Sequence, residues 1–600
     1  MKNLLSSYTI GVKDKNQEKN AAILQSTISE SFAITLDIET LNESKRQLVP
    51  TDAYSLSLAP AQYGWKTNGN HIEIANGAFI GFDMVAREFA EQNTLCDKIV
   101  TASERYFEPK EHTIASLDAT SDYMIKRVLA TENTDISNIK GAVYYVSEKS
   151  GSDSNSGRSQ DDAWQTTRAV INAELKEGDA VLFERGGLYR TGTVDTVSGV
   201  TYGSYGVGEK PIICGSKKNY AEGECWELVD EENHIWRLKD IVVDPGIIVY
   251  DAHTRDVSRY GEITGERVLD SEECAGYEAL KKADDLTLYW GTPETTLENF
   301  NHWSSDYPTF IKSYRNPNTD FSDIEIGGDF KMFRVGKCHD VTIDNLCFKF
   351  CGGHSIQAHD GVKNLTVSNC VFAWGGGSLL WKTTRYGNAI EVFGGCDGYV
   401  TKNNWIYEIY DTAITFQYHF KDGEPAMKNI HICDNMIERC YWSLEWWLSP
   451  DVKGAYSSSK NILIENNFLK YGFRSWGTVQ HGLHTDDLGR VCSWGAMIAS
   501  GSLGVDAENV VLKNNILDRS FIDGYDHVMT RLFNYHSAGS AACTEWIDNT
   551  FIQHDDQFFG RVSASDGASF YTADREDVDT ALSKIPLMSG EKVCIIKRDV

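Results

Sequence analysis

Three acidic residues in successive segments of this sequence could supply acid and base chemistry. Glu391 lies in NAIEVF, Asp411 in YDTAITFQ and Glu445 in WSLEWW. Carboxyl groups held close together repel one another as anions, so the pKa of at least one is raised and that group keeps its proton. A protonated carboxyl beside an ionised one is the pair that acid and base catalysis needs. These three residues are therefore the candidate catalytic groups.

The alignment that groups the acids uses four strand-like segments, HSIQAH, NAIEVF, TAITFQ and WSLEWW. Side chains alternate between the two faces of a strand, so the alignment predicts one inward and one outward column. The inward column is Ile356, Ile390, Ile414 and Leu444, and the outward column is Gln357, Glu391, Thr415 and Glu445. Stacked strands are about 4.8 Å apart, so the backbones at Glu391 and Glu445 should be about 9.6 Å apart.

Polar and aromatic residues flank the acids in the same alignment or in the loops beside it. Aromatic rings suit the apolar faces of sugar rings, and His, Gln and Arg suit hydroxyl groups. The predicted substrate-binding residues are Gln357, His359, Trp381, Arg385, Phe393, Gln417, His419 and Trp447. No metal site is predicted, because the group His481, His484, Asp486 and Asp487 matches no specific metal motif.

A recurring asparagine phrase indicates which elements position these residues. It reads VTIDNLCF, LTVSNCVF, YVTKNNWIY, IHICDNMI, ILIENNFL, VVLKNNIL and TEWIDNTFI. The alignment places seven asparagines in one register, namely Asn345, Asn369, Asn404, Asn435, Asn467, Asn515 and Asn549. The number of residues between successive asparagines leaves no room for a crossover helix and matches one turn of a solenoid with added loops. The pattern predicts a right-handed parallel β-helix in which stacked asparagine amides bond from coil to coil.

The asparagine phrase also divides the chain into regions. Residues 1–138 lack it and show helical spacing from Asn20 followed by strand-like runs, which predicts an N-terminal α/β capping or oligomerisation region. Residues 139–562 form the predicted β-helix, with a Trp-rich inserted sheet at about 220–326. Residues 563–600 are expected to be a C-terminal cap or tail. The fold class is therefore all-β, with an α/β region and an inserted sheet.

A family resemblance appears where VYYVS is followed by a turn-rich loop, a helix predicted over residues 163–175, AVLFERGG and SGVTYGSYGVGEKPIICGS. This order resembles the opening of bacterial carbohydrate-active right-handed β-helix proteins of the pectate-lyase-like fold. The resemblance covers roughly residues 141–560 and implies that the helix plugs one end of the solenoid. AIEVF and LEWW resemble the acidic strands of β-helical glycoside hydrolases, a group that includes β-xylosidase, lacto-N-biosidase and fucosidase/xylanase families.

Together the acids and the resemblance favour a glycoside hydrolase that acts from the end of small oligosaccharides. A Glu391 and Glu445 pair favours inversion of configuration, while Asp411 paired with either favours retention. The alternative is a polysaccharide lyase or uronate epimerase, with Lys382 and Arg385 serving a uronate beside Ca²⁺. Hydrolysis itself requires no cofactor. A non-catalytic sugar-binding solenoid is the third and weakest hypothesis.

Composition limits the partners. The formal net charge is −29 and no basic run occurs, which excludes nucleic acid as an expected partner. The N-terminus turns polar after Leu5, and no apolar run approaches the roughly 20 residues of a membrane helix. The 14 cysteines are scattered singly, as reduced core residues are. We therefore expect a cytoplasmic protein with no membrane partner, for which homo-oligomers stay open.

Overall fold

The computed structural model divides the chain into two compact units, Met1–Arg127 and Val128–Val600. The structure describes the chain outside residues 1–4, 14, 43, 52–62, 69, 77–81, 83–84, 88, 91–104, 108–113, 253–275, 297, 302, 382–383, 421–426, 451–458, 478–483, 486–490, 501–506, 521–528, 536–542, 555–556, 563–568, 572–587, 590–591 and 597–600. The division falls before the boundary at residue 138 that the sequence suggests. Residues just after it bond to the β-helix, since Thr134 Oγ1 donates to Asp344 Oδ2 at 2.8 Å.

The N-terminal unit is built on a mixed sheet. Its strands lie in the order Ile38–Thr40, Thr9–Val12, Gln47–Pro50, His71–Asn76, Tyr63–Asn68 and Arg105–Phe107. The first four pair in parallel and the later pairings are antiparallel. The helix Lys15–Phe32 buries Leu24 and Ile28, whose spacing of four residues places both on one face. A second helix is Ile114–Leu129.

The second unit is a right-handed parallel β-helix with three sheets. The first sheet consists of Val143–Val146, Ala180–Glu184, Thr201–Tyr205, His339–Asp344, Val362–Ser368, Cys396–Lys402, Met427–Cys433, Ser459–Glu465, Glu508–Lys513, Thr544–Ile547 and Met588–Ser589. The second sheet consists of Leu188–Arg190, Ile212–Cys214, Cys347–Cys351, Val371–Gly375, Trp405–Ile409, Met436–Glu438, Phe468–Lys470, Ile516–Asp518, Thr550–His554 and Lys592–Ile596. Inward side chains of all three sheets form one continuous apolar core.

The third sheet carries the predicted acids. Its parallel strands are Val194–Asp195, Phe333–Val335, Ile356–His359, Ile390–Phe393, Thr412–Phe420, Trp442–Pro450, Val491–Ser500, Met529–Tyr535 and Phe558–Val562. Two short strands, His484–Thr485 and Ser569–Tyr571, pair with it in antiparallel orientation. The hairpin Ser378–Trp381 with Thr384–Tyr386 projects from the coil that holds Glu391.

Two adjacent columns of amide and acid side chains form the bend between the first and second sheets. One column has left-handed backbone, with φ from 51° to 63°, and consists of Asn345, Asn369, Asn403, Asp434, Asn466, Asn514 and Asp548. The next residue of each later coil forms a buried ladder, Asn404, Asn435, Asn467, Asn515 and Asn549. Along the ladder each Nδ2 donates to the next Oδ1 at 2.9 to 3.0 Å. The predicted bonding from coil to coil is confirmed for these five.

The expectation of one register for all seven asparagines is wrong at the first two. Asn345 and Asn369 belong to the left-handed column, and the strand register puts Leu346 and Cys370 at the ladder position. The reason is that a left-handed residue, which asparagine tolerates, is needed at every bend. The ladder position points into the core, where an apolar side chain also fits. Cys370 still joins the ladder through its backbone N–H, which donates to Asn404 Oδ1 at 2.8 Å.

The predicted insertion is a separate antiparallel sheet with strands in the order Trp226–Asp230, Ile235–Leu238, Thr309–Lys312 and Leu288–Trp290. A second pair, Ile247–Tyr250 with Ile324–Gly327, joins it to the β-helix, and the helix Tyr277–Lys282 packs beside it. Trp226 and Trp290 are buried within this insertion. Their rings therefore serve its own packing.

The two ends of the solenoid differ from the sequence expectation in detail. The helix predicted over residues 163–175 is shorter, Thr167–Asn172, because Thr166 caps its first turn by accepting from the N–H of Arg168, and a 3₁₀ turn, Gln160–Asp162, precedes it. At the other end Met588–Ser589 and Lys592–Ile596 add parallel strands to the first and second sheets. These two described segments after Val562 thus continue the coil pattern.

Burial explains how the described cysteines fit this fold. They form no disulfide, and most, such as Cys347 and Cys370, lie buried in strands or at bends of the coils. Among the described residues, none of the helices combines the length and the apolar character needed to cross a membrane.

Candidate active site

The strand register of the third sheet forms the column that the alignment predicts. Gln357 pairs with Glu391, Glu391 with Thr415, and Thr415 with Glu445. The inward neighbours Ile356, Ile390, Ile414 and Leu444 are at most 1% exposed and lie in the core. Because the apolar alternation is anchored in the core, the acids occupy the opposite face. Both glutamates are nevertheless only 6% exposed.

Glu391 is anchored through one of its two carboxylate oxygens. Gln357 Nε2 donates to Oε2 at 2.7 Å, and His354 Nε2 lies 3.0 Å from the same atom. Burial alone would raise the pKa of Glu391, but the contact with His354, the bond from Gln357 and the charge of Lys331 outweigh it. The pKa is therefore held below its ordinary value, and Glu391 is the ionised member of the group.

Glu445, two coils further on, accepts three hydrogen bonds on Oε2. The donors are Gln417 Nε2 at 2.8 Å, Thr412 Oγ1 at 3.1 Å and Thr415 Oγ1 at 3.3 Å. Burial and the charge of Asp411 nevertheless raise the pKa of Glu445 to about 8. Unlike Glu391, this carboxyl has no cationic or imidazole partner among the described residues, and it favours the protonated form.

Asp411 stands at the corner that leads into the strand between the two glutamates. Its backbone carbonyl accepts from the N–H of Trp442, which fixes the corner to the next coil. Within the described part of the chain its carboxyl has no hydrogen-bond donor. Burial and the charge of Glu391 raise the pKa of Asp411 to about 7. Asp411 therefore increases the proton affinity of the patch and does not help to ionise it.

The three carboxyl groups form one electrostatic unit. The charge of Glu391 raises the pKa of both Asp411 and Glu445, and Asp411 also raises that of Glu445. Near neutral pH the group holds one ionised carboxylate and at least one proton, because three adjacent anions would repel strongly. Such a patch can donate a proton at one end and accept one at the other.

His354 is a site residue that the sequence patterns described above do not identify. Its side chain is 5% exposed, and Nε2 contacts Glu391 Oε2. A signal exists in the same alignment, two residues before the strand core, where His354, Asn388 and Thr412 share one register. Each is polar, and they bond in series, since Asn388 Oδ1 accepts from the N–H of Thr412 at 3.0 Å and Asn388 N–H donates to His354 Nδ1 at 3.0 Å.

The flanking column of predicted substrate residues also lies in register. His359 pairs with Phe393, Phe393 with Gln417, and Gln417 with Trp447. His359 contacts Asp360 at 2.7 Å, and the ring of Phe393 packs edge to face on Tyr418 at 5.6 Å. Substrate contact by these residues stays a prediction. Gln357 and Gln417 have the additional role described above, since their amides orient the two glutamates.

Arg385 lies in the hairpin beside the site but is only 6% exposed. Its Nε donates to the carbonyl of Gly377 at 2.5 Å and its Nη2 to that of Gly246 at 2.8 Å. The guanidinium also stacks on Tyr410 at 4.5 Å. These contacts join the hairpin to the inserted sheet, and a role toward substrate stays a prediction.

Several predicted residues fall outside the described part of the chain. They are Lys382, His481, Asp486 and Asp487, together with the side chains of Trp381, His419 and His484. Among the described residues no group of three His, Cys, Asp or Glu has the arrangement to hold a metal ion.

No family model and no curated protein matches the chain. Solved structures similar to it include XylC in complex with xylose, at 12% identity and a TM-score of 0.36, covering 76% of this chain and 82% of that one. Another is the native GH136 lacto-N-biosidase from Eubacterium ramulus, at 12% identity and a TM-score of 0.32, covering 86% and 75%. A rhamnogalacturonan lyase is similar at 11% identity and a TM-score of 0.28, covering 70% and 77%.

Proposed function

We propose that this protein is a glycoside hydrolase in which Glu445 is the general acid and Glu391 the general base. One observation carries the proposal: two glutamates of one column have their pKa values moved in opposite directions, down at Glu391 and up at Glu445. Glycoside hydrolysis needs a carboxylic acid to protonate the leaving oxygen and a carboxylate to activate water or attack the sugar. Separate environments give each group its task at one pH.

The hydrogen bonds indicate which oxygen of each group acts. Oε2 of Glu445 accepts from three donors and Oε2 of Glu391 from two. An oxygen so occupied has little room for a proton, so the acid proton of Glu445 belongs on Oε1. Oε1 of Glu391 is likewise the oxygen that takes a proton from water. The anchored atoms hold both groups in place during the reaction.

Spacing favours inversion of configuration. Thr415 separates the glutamates, so their backbones are about 9.6 Å apart, and inverting enzymes hold their carboxyl groups about 6.5 to 9.5 Å apart. Asp411 then serves as the third charge, which strengthens the hold of Glu445 on its proton. A mechanism through Asp411 would instead predict retention, because Asp411 precedes the strand that lies between those of the two glutamates, one coil from each.

The charge of the site favours a neutral oligosaccharide. The patch already contains three carboxyl groups in a chain of net charge −29, so a uronate would be repelled unless a cation accompanied it. Arg385, a cation that the lyase hypothesis needs, bonds to backbone carbonyls. Action from the end of small oligosaccharides in the cytoplasm belongs to the same proposal.

The test compares Glu391→Gln and Glu445→Gln with Glu465→Gln on a panel of aryl glycosides and oligosaccharides. Glu465 is a matched control, since it also bonds a histidine, His431 at 3.0 Å, but lies on the first sheet. We expect kcat/KM to fall about 10²- to 10⁴-fold in the two site variants and to stay unchanged in the control. NMR of the first product should show the inverted anomer. Folded site variants within tenfold of the parent would contradict the proposal, and an unsaturated product absorbing in the ultraviolet would replace it with the lyase alternative.

A further inference from the structure

The side chain of His354 is held at both ring nitrogens. Nδ1 accepts the backbone N–H of Asn388 at 3.0 Å, and Nε2 lies 3.0 Å from Glu391 Oε2. The ring also packs edge to face on Tyr386, with the ring centres 4.9 Å apart. Asn388 is itself 4% exposed and fixed by its bond to the N–H of Thr412. The imidazole therefore has one orientation.

The contact with Asn388 determines where the proton of the ring lies. A backbone N–H can only donate, so Nδ1 must be the bare, accepting nitrogen. The single proton of a neutral ring is then on Nε2 and points at Glu391. His354 therefore acts on Glu391 through the hydrogen bond that Nε2 donates.

We propose that His354 is a positioning residue that, together with Gln357, fixes Glu391 by Oε2 and leaves Oε1 as its reactive oxygen. This inference deepens the proposed function and rests on it for its catalytic consequence. A donor to the carboxylate favours the ionised form, so the bond also keeps Glu391 ready to accept a proton.

Other charged or titratable groups surround this pair, and the test must separate their effects. Lys331 and Asp329 lie 3.7 Å apart on the neighbouring coil, and Lys331 Nζ donates to the hydroxyl of Tyr386 at 2.9 Å. Tyr386 donates in turn to Asp329 Oδ1. On the other side stand Asp411 and Glu445, whose pKa values the charge of Glu391 raises without a bond between them. None of these groups forms the hydrogen bond that His354 Nε2 forms with Glu391 Oε2.

The first experiment measures pH profiles of kcat and KM for His354→Phe, His354→Gln and the control His431→Phe. Phenylalanine keeps a ring against Tyr386 but removes the donor, and the amide of glutamine can restore it. We expect His354→Phe to lower kcat about 10- to 100-fold with little change in KM. The acidic limb of kcat/KM should move to higher pH, because the carboxylate of Glu391 has lost a donor. His354→Gln should recover part of both effects.

A purely structural His354 would lower the thermal midpoint and leave the acidic limb where it is. An unchanged limb in folded His354→Phe, or equal behaviour of His354→Phe and His431→Phe, overturns the inference. His431 suits this control because its Nε2 also bonds a glutamate, Glu465 at 3.0 Å, on the first sheet.

A second measurement needs no activity. Nitrogen NMR of ¹⁵N-histidine-labelled protein, with the His354 signal assigned by its loss in His354→Gln, reports which ring nitrogen is protonated. We expect Nε2 of His354 to carry a proton near neutral pH. A ring without a proton on Nε2 overturns the inference. An Nε2–H ring in a protein that cleaves no glycoside would refute the proposed function and leave the anchoring of Glu391 intact.

Discussion

The asparagine ladder and the acid column are both stacks of buried polar side chains along successive coils. They differ in whether the stacked side chains satisfy one another's hydrogen-bond donors and acceptors. In the ladder Asn467 Nδ2 donates to Asn515 Oδ1 and to the carbonyl of Ile432, while its Oδ1 accepts from the side chain and backbone of Asn435. All four bonding positions of the amide are used. An asparagine complements another asparagine, so the stack satisfies itself.

The acids of the column cannot satisfy one another in this way, because a carboxylate only accepts hydrogen bonds. Glu391 and Glu445 take their donors from Gln357, His354, Gln417 and two threonines, all on Oε2. The described residues provide no donor for either Oε1. The same stacking that stabilises an amide ladder therefore leaves reactive atoms and mutual repulsion when the stacked residues are acids. The difference lies in the chemistry of the repeated residue, since the backbone spacing is the same.

Placing an acid in the ladder should have the largest effect. In Asn467→Asp the carboxylate would face Asn515 Oδ1 and the carbonyl of Ile432, two acceptors that now lack their donor. We expect a loss of about 3 to 5 kcal/mol in stability, seen as a lower denaturant midpoint. The matched control is Asn461→Asp, since Asn461 forms a similar ladder with Asn429 and Asn509 but is exposed. Equal midpoint shifts in the two variants would contradict the prediction that burial makes the loss of these hydrogen bonds more destabilising.

Removing Asp411, the acid at the corner beside the column, should stabilise the fold in a pH-dependent manner. Burial and the charge of Glu391 raise the pKa of Asp411 to about 7, against about 3.9 in an unfolded chain. The folded protein therefore holds a proton that the unfolded chain loses, so stability from this group is present below about pH 4 and declines as pH rises toward 7. Asp411→Asn removes the decline, and its advantage over the parent should reach about 4 kcal/mol by pH 8.

Denaturant midpoints at pH 5 and pH 8 measure this advantage. Glu391→Gln should behave in the opposite way. The lowered pKa of Glu391 means that its carboxylate stabilises the fold above its unfolded pKa, and that this contribution is lost only as pH falls through the folded pKa. A constant difference between Asp411→Asn and the parent at the two pH values would contradict the shared-charge description of the column.

A change in one donor of the column should have the smallest effect. Thr415→Val removes the 3.3 Å bond to Glu445 while keeping the shape of the side chain. Because the donor favours the ionised carboxylate, its loss should raise the pKa of Glu445 and move the alkaline limb of the pH profile upward. A bond of about 1 kcal/mol limits the change in kcat to less than tenfold. Thr366→Val, on the outer face of the first sheet, should leave the profile unchanged, whereas a downward shift in Thr415→Val would contradict the role given to Glu445.

Sequence patterns predict the parts of this molecule that repeat. The column of Glu391 and Glu445 follows from alternation, because Ile390 and Leu444 can be buried in only one register. The alignment places Asn345 and Asn369 in the ladder, whereas the structure has them in the left-handed column. Asparagine is favoured at both positions, so residue type alone does not distinguish them. A periodic pattern indicates which face a residue occupies but does not separate neighbouring roles at a bend.

The parts that do not repeat depend on contacts between residues that are far apart in the sequence. His354 lies in a corner outside the strand alternation, and its importance comes from Asn388 and Glu391 on the next coil. Arg385 could not be distinguished from a substrate-binding cation, because Tyr410 and the carbonyl of Gly246 approach it only in the folded chain. Such contacts are set by loop geometry, for which the sequence offers no period.

The ladder also has a direction. Each amide from Asn404 to Asn515 donates to the amide of the coil that follows it, so these side-chain dipoles point the same way along the solenoid and strengthen one another. Loss of the last rung, Asn549, would remove the acceptor of Asn515 Nδ2. We therefore expect unfolding from the carboxyl end to proceed coil by coil in similar steps. Amide protons should accordingly exchange in a gradient, slowest in the middle coils and faster toward that end.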